Sequence, residues 1–197
     1  MIPIPERTFP DKALALLSRT LDGCGALWVV GGSTGLAMRG ADLGRPPRDV
    51  DLYADEEDAA RIHADLADYA VDEPEESVTG IYRSILSHYR IGDAAVELVG
   101  HFRIDTGSSR YSTEVREALH PLGETRTAGG RPVRLAPLGH ELIFNVLRGR
   151  PDRCRAAGAL IRLEPDRHLP ALRRLLALSE LSKEDADSVF RYAGESE

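Results

Sequence analysis

Two short runs of alternating residues carry the strongest chemical signal in the sequence. In Arg48-Asp49-Val50-Asp51-Leu52 the alternation of side chains across a strand sends Asp49 and Asp51 to one face and Val50 and Leu52 to the other. In Val96-Glu97-Leu98 the same period turns Glu97 away from its apolar neighbours. If the two strands are neighbours, three carboxylates gather on one face, at a cost of several kcal/mol unless cations neutralise them. Hard cations such as Mg²⁺ prefer carboxylate oxygens and keep positions open for water and phosphate. A pair of such ions roughly 3.5 to 4 Å apart lowers the pKa of an attacking hydroxyl and clamps a triphosphate. Upstream, Gly31-Gly32-Ser33 breaks an apolar run. Glycines let the backbone approach a phosphate, and free N–H groups with the Ser33 hydroxyl at a helix start can bind its oxygens.

This ordered set resembles the nucleotidyltransferase superfamily with the DNA polymerase beta-like core. Its pattern is a Gly-Gly-Ser or Gly-Gly-Thr turn, an Asp-x-Asp strand and a third acid on a later strand. Gly31, Gly32, Ser33, Asp49, Asp51 and Glu97 match it, and the likeness covers about residues 27 to 100. Nearest are the antibiotic-adenylating enzymes and the abortive-infection toxin-type nucleotidyltransferases, in which an Arg lies just before the Asp-x-Asp strand; Arg45 and Arg48 are the candidates here. The resemblance implies a nucleoside triphosphate substrate and two Mg²⁺ ions. It assigns both metals to Asp49 and Asp51, completion of the site and general-base work to Glu97, and the β- and γ-phosphates to Gly31, Gly32 and Ser33.

The expected reaction moves a nucleoside monophosphate, AMP from ATP, to a hydroxyl of a small molecule or a protein. One alternative is a toxin-type transferase acting on tRNA; another is a non-catalytic descendant that binds a nucleotide or a partner. The chain departs from the toxin-type branch at one point. A Lys in the helix after the core is replaced by Asn145 or Val146, depending on register, with Arg148 and Arg150 as substitutes further along.

Plainer readings stand beside these. A Gly-Gly pair is often only a tight turn, and an Asp-x-Asp often only a solvated face; the ordered combination favours a site. Asp55, Glu56, Glu57 and Asp58 are accounted for by the first turn of a helix. His88 and His101 read as structural histidines. Arg83, Tyr89 and Arg90 suit a half-exposed strand.

The elements that must position these residues form an α+β fold, with a nucleotidyltransferase-like mixed β-sheet flanked by helices and a C-terminal helical region. The spacing predicts a helix through Leu14, Leu17 and Leu21 and a buried strand at 26–30. Beyond these come a helix at 34–39 capped by Ser33, a strand at 48–54 and a helix whose apolar face runs through Ile62, Leu66 and Tyr69. Strands at 83–91 and 94–99 read as a hairpin about Gly92-Asp93, and 124–135 as a ribbon about Gly129-Gly130. Residues 105–113 look structureless. Helical patterns at 140–148, 152–163, 168–178 and 182–192 complete the chain. The predicted division is 1–135 for the core and 136–197 for the helical region. Leu172, Leu175, Leu176 and Leu178 suggest a homodimer face.

Composition narrows the function classes. The 197 residues are 42% hydrophobic and 29% charged, the mixture of a globular domain rather than a disordered chain. With 25 basic against 32 acidic residues, the net charge is −7, so no summed positive field draws in nucleic acid or an anionic membrane. No apolar run approaches the roughly 20 residues of a membrane span, and the opening MIPIPERTFPDK lacks the apolar stretch of a signal peptide. The expected location is cytoplasmic. Cys24 and Cys154, the two cysteines, signal neither a disulfide framework nor a zinc site.

Overall fold

A computed structural model describes residues 9–195. In chain order the elements are α1 (Asp11–Thr20), β1 (Trp28–Gly31), α2 (Gly32–Ala37), β2 (Asp49–Ala54), α3 (Glu56–Asp65), β3 (Glu75–Thr79), β4 (Tyr82–Ile91), β5 (Ala94–Asp105) and β6 (Arg110–Ser112). A π-helical turn at 115–119 leads into α4 (His120–Leu122). Then follow β7 (Glu124–Ala128), β8 (Arg131–Leu135), α5 (Leu138–Leu147), α6 (Pro151–Leu163), α7 (Pro165–Ala177) and α8 (Lys183–Ala193).

The strands form one mixed sheet of order β3-β4-β5-β2-β1-β8-β7, with β6 beside β5. β1 runs antiparallel to β2, whereas β2 runs parallel to β5 and β1 parallel to β8. Both faces are covered, which is why β1 reads as a continuous apolar run. Val30, Val50, Leu52, Val96 and Leu98 pack with Leu14 and Leu17 of α1 and Ile62 of α3. Val29, Tyr53, Val99 and Phe102 face the other way, against Leu142 of α5, Ile161 of α6, Leu172 of α7 and Val189 of α8. Among the described residues no helix is long and apolar enough to cross a membrane.

Several expectations are corrected. The helix after the Gly-Gly pair begins at Gly32, and its N-cap is Gly31, which has no side chain to cap with; Ser33 lies inside the first turn. α3 stops at Asp65, and Tyr69 belongs to a separate 3₁₀ turn at 67–69. Residues 105–113 contain β6, which hydrogen-bonds along the end of β5. β3 is an exposed edge strand whose Glu75, Glu76 and Thr79 give no apolar alternation to read. Asp55 and Asp58 do more than start α3. Asp55 accepts the backbone N–H groups of Val115 and Arg116 at 2.8 and 2.9 Å, and buried Asp58 accepts two contacts from the Arg116 guanidinium at 2.7 and 2.9 Å. Leu172 and Leu175 are spent inside the chain's own core. Of the four leucines only Leu178 is exposed, so α7 offers no apolar dimer face.

Candidate active site

β1, β2 and β5 carry the predicted residues into one row. Gly31 pairs with Asp51 across β1 and β2, Asp51 with Glu97 across β2 and β5, and Glu97 with His88 across β5 and β4. Asp49 lies two residues back on β2, on the same face as Asp51. Their partners Val50 and Leu52 are fully buried on the opposite face, as the period of two requires.

The Gly-Gly turn is fixed by close approach. Gly32 has φ +62°, and a Cβ there would stand 1.8 Å from Asp51 Oδ2. At Gly31 a Cβ would stand 2.6 Å from the Tyr53 ring and 2.8 Å from Glu141 Oε1. Neither position admits any other residue without displacing the site. The Thr34 hydroxyl donates to the Asp49 carbonyl at 2.7 Å, tying α2 to the start of β2.

Glu141 is a functional candidate that the sequence reasoning missed. It is fully buried on α5, its Oε1 accepts the Gly32 N–H at 2.7 Å, and its Oε2 has no partner among the described residues. The expectation of a free N–H at Gly32 is therefore corrected: a buried carboxylate must be hydrogen-bonded, and it takes that donor. The available signal was one acid in the middle of the apolar stretch LGHELIFNVL. Asn145, one turn on, donates to the Glu141 carbonyl at 2.7 Å.

These groups border a cavity of about 410 Å³. Gly32, Ser33, Asp49, Asp51 and Glu97 line it, as do Arg45 and Arg48 from the loop before β2. Gly31 is buried and is not on the wall. Arg148, Arg150 and Arg153 enter from the α5–α6 junction, the Arg148 guanidinium lying 4.6 Å from the centroid of the Phe144 ring. His88 does not line the cavity; its Nδ1 contacts Asp72 at 2.6 Å. His101 is off the wall as well, in β5 at φ +50°.

Negative charge is concentrated along the strand row, while the arginines stand on the rest of the wall. Burial, then Asp49, Glu97 and Glu141, push Asp51 well above the usual carboxylate range. Burial and Asp49 raise Glu97, against the opposing pull of His88. Burial raises Glu141 to about 7, opposed by Arg39, the Gly32 N–H, Arg148 and Arg153. Oxygen donors in this state suit a hard dication. Among the described residues, no three carboxylate, imidazole or thiol groups are already gathered to grip one ion.

No protein-family model and no curated protein matches the sequence. Solved structures do. A candidate nucleotidyltransferase from Thermotoga maritima superposes with a TM-score of 0.58 at 19% identity, over 77% of this chain and 91% of that one. An antigenic nucleotidyltransferase-like protein from Paracoccidioides brasiliensis gives 0.50 at 15% identity, over 95% and 94%. The antibiotic-modifying protein ANT(2")-Ia, solved in complex with adenylyl-2"-tobramycin, gives 0.44 at 16% identity over 93% and 94%, too loose to bear on this chain's substrates. The likeness to the Thermotoga maritima structure, with this chain's mixed sheet and flanking helices, gives it the nucleotidyltransferase fold.

Proposed function

We propose that this chain is a Mg²⁺-dependent nucleotidyltransferase that moves AMP from ATP to a hydroxyl of a small molecule or a protein. One observation carries the reading: Gly31, Asp51 and Glu97 lie in one row on three adjacent strands, with Gly32 packed against Asp51 at the wall of a cavity. Neither a solvated face nor an ordinary tight turn needs that approach.

Mg²⁺ held by Asp49, Asp51 and Glu97 would supply Lewis-acid polarisation of the phosphates and a lowered pKa for the attacking hydroxyl. Ser33 and the guanidinium groups of Arg45, Arg48 and Arg148 bind the β- and γ-phosphate oxygens, for which planar guanidinium groups are well matched. Glu97, made more basic by burial and by Asp49, takes the proton from the acceptor hydroxyl. That oxygen bonds to the α-phosphorus, the bond from the α-phosphorus to the bridging oxygen breaks, and pyrophosphate leaves. Arg148 and Arg153, on the cavity wall, offset the charge of the departing pyrophosphate.

The test is the melting temperature with ATP, GTP, CTP or UTP, with and without Mg²⁺, on the wild type and on Asp49→Asn. A nucleotide at about 100 times its Kd stabilises by about 2.7 kcal/mol, several degrees for a domain of this size. The expected result is a shift with ATP that needs both Mg²⁺ and Asp49. A second reading, a non-catalytic nucleotide binder, draws on the Gly32 N–H being engaged by Glu141 and on Asn145 standing where related helices carry Lys. It expects the same shift with no AMP transferred to any acceptor.

A further inference from the structure

We infer that the acceptor half of the cavity takes a hydroxyl compound with a flat apolar face and no positive charge, and that it rejects polycations. The inference rests on the transferase reading above, which puts the acceptor hydroxyl at Glu97 and the triphosphate at Ser33 and Arg48.

The space beyond Glu97 runs along β5, β4 and β3, away from β2. Val99 pairs with Leu86 there, and Thr79 with Tyr82, and all four line the cavity. Tyr82 stacks on Phe102 at 6.0 Å between centroids and 23° between planes, and Phe102 meets the edge of Phe144 at 5.4 Å. Three aromatic rings and two aliphatic side chains thus form a continuous apolar wall. Ring stacking of this kind rewards a flat partner. The hydroxyl groups of Ser77, Thr79 and Ser84 are the polar groups set among them.

Charge decides against a cationic acceptor. Among the described residues lining the cavity, the only carboxylates are Asp49, Asp51 and Glu97; the other charged groups are Arg45, Arg48, Arg148, Arg150 and Arg153. An aminoglycoside or polyamine brings several ammonium groups that must each find an acceptor when desolvated. Here the three available carboxylates are the ones the transfer itself requires, and five guanidinium groups surround them. The same field draws in a neutral or anionic acceptor without penalty.

Three probes test this on protein loaded with Mg²⁺ and α,β-methylene-ATP, which cannot donate AMP: phenyl β-D-glucoside, 4-hydroxyphenylacetate and tobramycin, followed by saturation-transfer NMR. The expected result is binding of at least one aromatic probe, three- to tenfold weaker in Tyr82→Ala, the equivalent of about 0.7 to 1.4 kcal/mol of lost stacking. Tobramycin gives no signal. Binding of tobramycin overturns the inference, as does the absence of both aromatic probes or indifference to Tyr82→Ala. Loss of the nucleotide analogue itself in Tyr82→Ala assigns the aromatic wall to the base and also overturns it. Failure of the analogue to bind the wild type is the separate result that overturns the transferase reading.

Discussion

Asp51 stands under two opposed demands. Its carboxylate lies beside Glu97, near Asp49 and Glu141, in surroundings that disfavour its charge, yet that accumulated charge is what makes the face attractive to a dication. Asp51→Asn should therefore stabilise the metal-free protein by on the order of 1 kcal/mol, as relief of a strained functional site commonly does. The same change should abolish AMP transfer. Melting curves in EDTA beside an activity assay check both; a less stable and still active variant would remove Asp51 from the site. Gly32 carries the complementary constraint. Gly32→Ala forces a Cβ to within 1.8 Å of Asp51 Oδ2 at φ +62°, so the backbone penalty of about 1 to 2 kcal/mol comes with displacement of the carboxylate. We expect lower stability together with loss of the Mg²⁺-dependent nucleotide shift.

The turn does not hold itself. α5 reaches under the sheet to hand Glu141 to the Gly32 N–H, so a helix of the C-terminal half braces the first phosphate-binding candidate of the core. Glu141→Gln retains a carbonyl oxygen for that N–H and should keep the nucleotide shift. Glu141→Ala orphans a buried donor at about 1 to 3 kcal/mol, and should lower the melting temperature and weaken nucleotide binding; equal behaviour of the two variants would show that the bond does not matter. This brace also marks the limit of what the sequence discloses. Alternation fixes which face Asp49, Asp51 and Glu97 occupy, and Gly92-Asp93 fixes the β4–β5 hairpin, because both are local. The contact of Glu141 with Gly32 spans 109 residues, and no local pattern encodes it. β3 and β6 escape for another reason: an edge strand exposed on both faces has no apolar period, and a three-residue strand is too short to show one. The leucines of α7 mislead because an apolar stripe looks the same whether its partner is another copy or the chain's own α5.

Taken across the whole chain, the sheet separates two cores, and the helical one carries most of the buried polar chemistry. His140 is fully buried there, its Nδ1 bonded to the Tyr111 hydroxyl at 2.8 Å and its ring stacked on Phe144 and edge-on to Tyr53. Burial, with Arg39 adding to it, lowers its pKa from 6.5 to about 3. Glu124 is also buried, within 2.5 Å of Arg39 Nε and 2.6 Å of Arg167. Burial works to raise its pKa, but Arg39, Arg126 and Arg167 prevail and hold it below the carboxylate norm. Both depressions have the same sign for folding. Below pH 6.5 the unfolded chain protonates His140 while the folded one does not, so the His140 contribution to stability falls by about 1.4 kcal/mol per pH unit until about pH 3. Glu141, raised to about 7 by burial, has the opposite sign and gains stability as pH falls from 7 toward 4.5. Below about pH 4.5 the unfolded chain also protonates Glu124 ahead of the folded one, and the decline steepens. Denaturant unfolding of the wild type should therefore change little between pH 7 and pH 5, because Glu141 and His140 offset each other. His140→Phe keeps the stacking on Phe144 but leaves the Tyr111 hydroxyl without its partner, so it should lose about 1 to 3 kcal/mol at pH 7 and, with Glu141 unopposed, regain about 2 kcal/mol between pH 7 and pH 5. A His140→Phe variant with the same pH response as the wild type would remove His140 from the linkage and leave it to the carboxylates alone.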